Sequence, residues 1–330
     1  MNKLYYILII ATAILIIIYP LLPSKSTKLT VLSFNMWNGG QNRNITAQQY
    51  ADFIKNSNVD ISCLQETSTW VGDESSGIIL ENLAPVIARI LGWNVYIQRT
   101  THTYSTAILS KYNHTYIHFF ESNYNGTIET DIIAVEFEIY TNAFLSQSRK
   151  KVLVINDHLT DDPYQPFELL NLTGKTPDEI KVIVDEQMES AYNNRSKIFF
   201  QKVNQVLLTR KWEDRNMPVF VSADYNEPSH LDWTDRAFDH GDCPCVCDWP
   251  TSRGIYNFGF RDSFRTLYPD EVKNKVNSWS VAKEDKGQRF DRIDIVYHMN
   301  VEEVNSAKYI DTGFSDHMAL LTSFKLAPQM

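Results

Sequence analysis

Cysteine is scarce in this sequence, with four residues among 330, which is too few for a scaffold held together by disulfides. The G-x-S-x-G and G-x-x-x-x-G-K motifs are both absent, which argues against a serine hydrolase and a nucleoside-triphosphate-binding protein. Positive charge is also in deficit, since 31 Lys and Arg face 40 Asp and Glu and leave a net charge of −9. This balance argues against a basic clamp for nucleic acid, but not against an enzyme that meets phosphates through a metal ion.

The rest of the composition is typical of a globular protein that buries a core. Hydrophobic residues make up 43% and charged residues 22%, which excludes a disordered chain, a collagen-like chain and a polytopic membrane protein. The length suits one large domain or two small ones. Because no low-complexity linker or internal repeat divides the chain, we assign residues 1–28 to an N-terminal hydrophobic segment and residues 29–330 to one domain.

The N-terminal segment is uncharged over residues 4–22 and is dominated by Leu, Ile and Tyr. A membrane span needs about 20 apolar residues, and this run comes close although Pro20 interrupts it. A cleaved signal peptide is the alternative, but its apolar region is usually about 7–15 residues long. We therefore expect a retained single-pass membrane anchor, with a secreted protein as the alternative.

Five N-x-S/T sequons follow this segment, although an asparagine-rich chain also produces sequons by chance. Together with an anchor, they favour a domain in the lumen or outside the cell. The predicted glycosylation sites are Asn44, Asn113, Asn125, Asn171 and Asn194.

Three of the four cysteines form a C-x-C-x-C motif at Cys243, Cys245 and Cys247. A zinc site normally needs a second ligand pair at metal-binding spacing, and none is evident in the sequence. A disulfide within this loop, or to Cys63, is the simpler interpretation. Cys63 itself lies in an apolar run, which is more typical of a buried thiol.

The order of the predicted elements indicates a layered α/β protein. Capping boxes at Thr46–Gln49 and Thr176–Glu179 predict two helix starts, and residues 80–91 are also expected to be helical. Apolar runs at 29–34, 59–64, 151–156 and 217–223 predict buried strands. Because strands often follow one another directly, the sheet is expected to be mixed or mainly antiparallel rather than doubly wound and parallel.

Polar residues cluster at the ends of these strands, where loops on a rigid sheet build functional sites. Any one of them could be an ordinary turn or capping residue. Asp294 is harder to explain in that way, because a carboxylate inside an apolar strand is costly unless it is paired, and His317 is its natural partner. The residues at or next to strand ends, or inside a strand in the case of Asp294, are Asn35, Glu66, His158, Asp224, Asn226, Asp294, Asp316 and His317.

These residue types fit the hydrolysis of a phosphate ester. Glu66 and Asp316 offer the hard oxygen ligands that suit Mg²⁺ or Mn²⁺. His158 and His317 can donate hydrogen bonds to phosphate oxygens, and Asp224 can accept a proton from water.

With these residues placed, the chain resembles the endonuclease/exonuclease/phosphatase superfamily, whose fold is that of DNase I and the AP endonucleases. The resemblance implies a four-layer α/β sandwich, in which two packed mixed sheets are flanked by helices. The matching blocks are LSFNMWN at 32–38, LQET at 64–67, NDHL at 156–159, SADYNEPSHLDWT at 222–234, RDSFRTLYPD at 261–270, RIDIVY at 292–297 and SDHMAL at 315–320.

The resemblance also implies a role for each matched residue. Glu66 would be the main metal ligand, with Asn35 and Asp316 beside it. Asp224 would orient or deprotonate the attacking water, and Asn226 would help to hold the water and the phosphate. The remaining implied roles are a carboxylate–histidine dyad at Asp294 and His317, binding of the scissile phosphate at His158, and structural support at Asp262.

Two features depart from the family pattern, namely NSWSVAK at 277–283 in place of a Gly-rich Thr-Trp block and the lack of an identifiable carboxylate partner for His158. The favoured hypothesis is a Mg²⁺-dependent phosphodiesterase, most simply a nuclease, and the protein is expected to be monomeric. The first alternative is a phosphatase or a phosphodiesterase that acts on phospholipid or sphingolipid. The second is a binding module on the same fold that has lost its activity.

Overall fold

The computed structural model describes residues 27–73, 76, 78–97, 105–118, 120, 132–143, 146–211, 214–279 and 291–327. These residues form two six-stranded sheets, a two-stranded hairpin and a set of helices. The strands are β1 (Thr27–Asn35), β2 (Ile61–Gln65), β3 (Ser68–Trp70), β4 (Ile79–Asn82), β5 (Asn94–Ile97), β6 (Ala107–Ser110), β7 (His114–His118), β8 (Ile133–Ala143), β9 (Ser146–His158), β10 (Val219–Asp224), β11 (Arg261–Asp262), β12 (Asp294–Met299), β13 (Glu303–Ile310) and β14 (Ala319–Leu326).

The α-helices among the described residues are α1 (Ala47–Asn56), α2 (Ala84–Leu91), α3 (Gln165–Glu168), α4 (Pro177–Ala191), α5 (Lys197–Thr209), α6 (Asp235–Asp239), α7 (Pro250–Asn257) and α8 (Ser263–Leu267). A 3₁₀ segment at Asn38–Arg43 follows β1, and a π-helical turn at Tyr192–Ser196 joins α4 to α5. Both predicted capping boxes are present, at Thr46 and Thr176, and each begins its helix where the sequence places it.

Each large sheet is mixed. The first has the order β13-β14-β1-β2-β6-β5, in which β1 and β2 are parallel and the other pairs antiparallel. The second has the order β11-β12-β10-β9-β8-β7, in which β9 and β10 are parallel and the rest antiparallel. Two parallel pairs in otherwise antiparallel sheets agree with the predicted mixed topology.

Alternation along the strands separates the layers, because successive side chains point to opposite faces of a sheet. Leu29 and Val31 of β1 join the core between the two sheets, whereas Leu32 and Phe34 pack beneath α1 and α2. In the second sheet Val154 faces the inter-sheet core, whereas its neighbours in sequence pack beneath α5. The result is a four-layer α/β sandwich, as the sequence predicts.

Two predicted elements differ in detail. The expected helix over residues 80–91 begins only at Ala84, because the preceding residues pair as strand β4 with β3. The long helical pattern after Thr176 is interrupted by the π-helical turn, which inserts one residue per turn and rotates the following face. Local periodicity alone does not reveal either change, since both depend on tertiary partners.

The structure corrects the expectation of a single-pass membrane protein. No helix in the described part of the chain is both long enough and apolar enough to cross a bilayer. The predicted anchor over residues 4–22 lies outside the described residues.

The predicted glycosylation sites fall in different settings. Asn44, Asn113 and Asn171 are exposed, and Asn125 lies outside the described residues. Asn194 is half-buried in the π-helical turn, and its Nδ2 donates to the carbonyl oxygen of Ser190 at 2.9 Å. A glycan on Asn194 would need this hydrogen bond to break, whereas the three exposed sites have room for one.

Candidate active site

The site lies at the ends of several strands, on the face of each sheet that packs against the other sheet. In β10 and β12 the same alternation that buries Phe220 and Val296 between the sheets brings Asp224 and Asp294 to that face. Strand register makes the two aspartates direct partners, and it also pairs Asp224 with His158 across the parallel strand. Neighbouring strands therefore deliver three polar side chains to one place.

Asn35 connects the two sheets at this point. Its Nδ2 donates to Oε1 of Glu66 at 2.8 Å and to Oδ2 of Asp224 at 2.8 Å. The backbone N–H of Trp37 donates to Oδ1 of Asn35 at 2.9 Å, so the amide nitrogen is directed toward the carboxylates. In this arrangement Asn35 holds two carboxylates in place rather than presenting its own oxygen to a metal ion.

Glu66 is fixed by its backbone as well as by Asn35. It adopts a positive φ of 52°, which is uncommon for a residue other than glycine and turns the chain immediately after β2. Its second carboxylate oxygen accepts a hydrogen bond from the backbone N–H of Asn38 at 2.9 Å. Local strain of this kind persists where the surrounding contacts determine it, as they do at functional sites.

His158 lies between the carboxylates and Asn226. Its Nε2 is 3.7 Å from Oε1 of Glu66, 3.6 Å from Oδ2 of Asp224 and 3.2 Å from Nδ2 of Asn226. Asn226 has a positive φ of 44°, and its backbone N–H donates to Oδ1 of Asp224 at 3.0 Å. The sequence offered no carboxylate partner for His158, and the structure brings two of them within 4 Å.

Asp294 and His317 form the predicted pair. Nδ1 of His317 is 2.9 Å from Oδ2 and 3.2 Å from Oδ1 of Asp294, and both side chains are buried. The other ring nitrogen, Nε2, faces Oδ2 of Asp224 at 3.7 Å. One edge of the imidazole is thus oriented by a carboxylate, and the other edge is directed toward the centre of the site.

Burial and charge act in opposite directions on these groups. Burial alone would lower the pKa of His317, but the nearby Asp294 and Asp224 outweigh it and raise that pKa well above its ordinary value. Burial raises the pKa of the Asp224 carboxyl, although His317 and His158 oppose the shift. Burial likewise raises the pKa of Asp316. The imidazole is therefore the group on which a positive charge is best stabilised.

The donor set suits a hard divalent cation. Ligand atoms of Glu66, His158 and Asp224 lie within 4.8 Å of one another, as do those of Asp224, Asp294 and His317. Oxygen donors dominate, as Mg²⁺ and Mn²⁺ prefer. Asp316 lies at the side of this group, with Oδ1 at 3.9 Å from Nε2 of His317. Of the three predicted metal ligands, Glu66 is therefore the one that the geometry favours most.

Several residues that support the site escaped the sequence analysis. Oγ of Ser278 donates to Oδ2 of Asp294 at 2.7 Å and accepts from the backbone N–H groups of Ile293 and Asp294 at 3.0 Å each. Beneath the site, Nε2 of Gln65 donates to Oδ1 of Asn156 at 2.7 Å across the two sheets. Both contacts join segments far apart in sequence, so no local motif could have indicated them.

Hydrogen bonds from Arg195 hold the loop that follows His158 in place. The buried guanidinium of Arg195, in the π-helical turn, donates to the carbonyl oxygens of Thr160 and Pro163 and to Oε1 of Gln165. Asp291 ties the same loop to the rest of the site, because Oδ2 accepts from the Tyr164 hydroxyl at 3.0 Å. These contacts fix the conformation of the loop next to His158.

Asp262 takes the structural position that the sequence suggests. Its Oδ1 accepts hydrogen bonds from two backbone N–H groups at the start of α8, and Oδ2 lies 2.8 Å from the guanidinium of Arg292. It therefore caps a helix and forms a buried ion pair.

Solved structures share this fold. Truncated TDP2 from Caenorhabditis elegans has a TM-score of 0.52 at 19% identity, with 90% of this chain and 98% of that chain covered. An AP endonuclease from Archaeoglobus fulgidus has a TM-score of 0.54 at 15% identity, with 90% and 99% covered. A Bacteroides vulgatus endonuclease/exonuclease/phosphatase matches with the same TM-score and identity, over 91% and 99%. At these identities the likeness shows the fold.

Sequence comparison gives the family. An uncharacterised protein from Caenorhabditis elegans is 28% identical over 265 residues, which are 78% of this chain and 72% of that protein. Residues 32–317 match the Endonuclease/Exonuclease/phosphatase family, a range that includes all eight predicted catalytic and metal-binding residues. The family is one of hydrolytic phosphoesterases that use divalent metals. The chain therefore belongs to the Endonuclease/Exonuclease/phosphatase family and is a phosphoesterase.

Proposed function

We propose that the protein is a divalent-metal-dependent phosphodiesterase that hydrolyses its substrate by in-line attack of water, with nucleic acid as the substrate class. One observation carries this proposal. Side chains from both sheets converge at one end of the inter-sheet layer, where hydrogen bonds and ion-pair contacts link them into a single group. They are Asn35, Glu66, His158, Asp224, Asn226, Asp294 and His317.

The contacts of these residues support a specific role for each in the proposed reaction. A Mg²⁺ or Mn²⁺ ion held by Glu66, with Asp224 and His158 in reach, would neutralise charge on the phosphate. Asp224 accepts a proton from the attacking water. His158 and Asn226 lie next to each other and bind the phosphate oxygens. Asn35 holds the two carboxylates at a fixed separation throughout.

The bonds and protons balance in a single displacement. The water oxygen bonds to phosphorus, its proton passes to Asp224, and the bond from phosphorus to the leaving oxygen breaks. The products are a phosphomonoester and an alcohol, whose oxygen takes a proton from bulk water, and Asp224 then releases its proton to solvent. His317 stabilises the negative charge that develops on the phosphate, because Asp294 favours its protonated form.

Two considerations bear on the substrate. An AP endonuclease shares the fold, which supports a nucleic acid. The net charge of −9 opposes long-range attraction of a polyanion, so we expect the enzyme to depend on its metal ion and a short contact region for binding. The salt dependence of binding should be correspondingly shallow.

A second candidate substrate, a phospholipid or sphingolipid, is favoured by an apolar strip near Glu66. Strand β3 begins two residues after Glu66, and the hairpin that it forms with β4 exposes Val71, Ile78 and Leu80, the last to 67%. Exposed apolar side chains that lie together indicate a contact surface for apolar groups. Such a strip could receive the acyl chains of a lipid whose phosphodiester enters the site.

A panel of substrates separates these candidates. Plasmid DNA, RNA, sphingomyelin and a generic aryl phosphodiester are each incubated with the purified protein and Mg²⁺, with and without excess EDTA. We expect hydrolysis of DNA or RNA that EDTA abolishes. Cleavage of sphingomyelin alone would replace the nucleic-acid proposal with the lipid one, and activity undiminished by EDTA would overturn the metal mechanism.

Glu66→Gln tests the metal ligand itself. Loss of its charge should remove several kcal/mol of charge stabilisation, which corresponds to about a 10³-fold loss of kcat. Calorimetric titration with Mn²⁺ should show weaker binding, and the unfolding temperature should stay close to that of the wild type. Glu81→Gln, an exposed glutamate on β4, is the matched control and should keep full activity. Equal activity of the two variants would remove Glu66 from the mechanism.

A further inference from the structure

The loop between α6 and α7 carries the C-x-C-x-C motif, which the proposed function does not use. Residues alternate along it, so that Cys243, Cys245 and Cys247 are buried while Val246 is exposed. All four cysteines of the chain are thiols in the structure. All three thiol-bearing residues of the loop therefore face the interior.

These thiols lie in an apolar cluster of their own. Trp233 and Trp249 flank them, and α4 packs against the cluster from outside. Cys63 belongs to a different cluster, the core between the two sheets. The alternative of a disulfide from the loop to Cys63 is therefore excluded by the fold, and any disulfide must lie within the loop.

One sulfur–sulfur contact identifies a candidate pair within the loop. Sγ of Cys245 and Sγ of Cys247 are 3.4 Å apart, and both atoms are buried. The thiol of Cys243 donates to the carbonyl oxygen of Thr234 at 3.8 Å. A disulfide needs the two sulfurs at about 2.05 Å, so the first pair requires a shift of less than the length of one C–C bond.

A metal ion explains the motif less well. Among the described residues, both groups of His, Cys, Asp and Glu that converge closely enough to hold an ion include Asp224, and neither includes a cysteine. Structural zinc sites take four ligands in a closed tetrahedron. The loop therefore presents two adjacent thiols rather than a preformed metal site.

We propose that Cys245 and Cys247 are a redox pair that closes to an intraloop disulfide in the presence of a small disulfide oxidant such as oxidised glutathione. The thiolate of one cysteine attacks the oxidant and forms a mixed disulfide, with release of one glutathione thiol. The second cysteine then attacks the mixed disulfide and releases the other. The protein loses two protons and two electrons, and the oxidant gains them.

Hydrogen bonds connect the loop that carries the pair to residues next to the active site. The backbone N–H of Cys247 donates to the carbonyl oxygen of Trp233, and Nε1 of Trp233 donates to Oδ1 of Asp291 at 3.0 Å. Asp291 also receives the hydroxyl of Tyr164 and lies three residues before the dyad member Asp294. Closure of the disulfide would fix the conformation of the loop that supports these contacts.

The test counts thiols in the full-length protein. The protein is incubated with oxidised glutathione, quenched with acid, unfolded and alkylated with N-ethylmaleimide, and its intact mass is measured. We expect two alkylated thiols after oxidation, compared with four in the reduced protein. Four alkylated thiols after oxidation, or a stable glutathione adduct on the loop, would overturn the proposal.

Peptide mapping identifies the pair. Trypsin cuts after Arg236 and Arg253, so one peptide, residues 237–253, contains all three cysteines of the loop. Tandem mass spectrometry should place N-ethylmaleimide on Cys243 in the oxidised protein. N-ethylmaleimide on Cys245 or Cys247 instead would show that the assigned pair is wrong.

Single variants provide the matched control. Cys243→Ser should still form the disulfide, whereas Cys245→Ser and Cys247→Ser should each keep all three remaining thiols after oxidation. Loss of two thiols from Cys245→Ser would show that Cys243 and Cys247 pair instead. Because the wild-type peptide map assigns the pair by itself, the conclusion does not depend on the folding of any variant.

Discussion

The two ends of strand β12 make similar sites with opposite electrostatics. At its start, Asp294 faces the buried His317, and at its other end His298 is itself buried between the sheets. A serine lies at each site: Ser278 donates to Asp294 at the first, and the Ser263 hydroxyl lies 3.0 Å from Nδ1 of His298 at the second. Yet the pKa of His317 is raised well above its ordinary value, whereas burial lowers the pKa of His298 from 6.5 to about 4.

The difference shows that neighbouring carboxylates, and not burial, raise the pKa of the histidine at the catalytic end of β12. Burial disfavours the imidazolium at both ends of the strand. Around His317, Asp294 and two further carboxylates reverse that effect. At His298 the attraction of Asp262 is too weak to offset burial, because Arg292 pairs with that carboxylate and Arg261 opposes it. Of these two buried histidines, only the one beside Asp294, Asp224 and Asp316 has its pKa raised.

The largest effect on kcat is expected from substitutions that disrupt the Asp294–His317 pair at the catalytic end of β12. Asp294→Asn removes the charge that favours protonated His317, and His317→Ala removes the imidazole. Each change should lower kcat by about 10²–10⁴-fold with a smaller change in KM. The double variant should be little worse than the more damaged single variant, because residues that act as a unit are non-additive.

The measurement is kcat for both single variants and the double variant on one substrate. Unfolding temperatures for the same proteins separate loss of catalysis from loss of structure. If the two losses multiply in full, the residues act independently and the assigned dyad must be abandoned.

The sequence predicts much of this end of the molecule. Asp294 stands out because a carboxylate in an apolar strand needs a partner, and His317, just before β14 of the other sheet, is that partner. The four layers follow from the alternation of strands such as β1 and from capping boxes at the starts of α1 and α4. The alternation and the caps are local features that one segment at a time reveals, whereas the pairing of Asp294 with His317 joins the two sheets and is inferred from the chemistry of the two side chains.

What the sequence does not predict depends on contacts across the fold. Ser278 supports Asp294 from a segment that departs from the family pattern, and the bond between Gln65 and Asn156 crosses from one sheet to the other. The sequence also does not predict that the N–H of Trp37 orients the Asn35 amide nitrogen toward Glu66 and Asp224, and a metal-ligand role for Asn35 stays a prediction. No periodicity encodes these orientations, since the partner that sets each one is distant in sequence or belongs to the backbone.

The next largest effect is a change of folding stability with pH, caused by His298 at the far end of β12. Because His298 resists protonation until about pH 4 in the folded protein, whereas the unfolded chain takes up the proton near 6.5, folding loses stability as the pH falls between these values. The loss should reach up to about 3 kcal/mol. Above pH 6.5 the contribution is present in full.

Urea unfolding of the wild type and of His298→Gln at several pH values between 4 and 7 measures this contribution. The variant should lack it, so the difference between the two unfolding free energies should change with pH in that window. A difference that stays constant from pH 7 to pH 4 would show that His298 takes up its proton at the same pH in the folded and unfolded states, and burial would not lower its pKa.

The smallest effects are expected from substitution of the serine at each end of β12, and the two variants form a matched pair. Ser278→Ala removes the hydroxyl that donates to Oδ2 of Asp294 at 2.7 Å, whereas Ser263→Ala removes the hydroxyl that lies 3.0 Å from Nδ1 of His298. A hydrogen bond to a charged group contributes about 1.5–3 kcal/mol, so Ser278→Ala should lower kcat by about 10-fold or more. Ser263→Ala touches only the neutral histidine, so it should reduce stability by about 1 kcal/mol and leave kcat unchanged. Measured kcat and unfolding free energies for both variants decide the matter, because equal effects on kcat would mean that Ser278 only supports the fold and does not position Asp294.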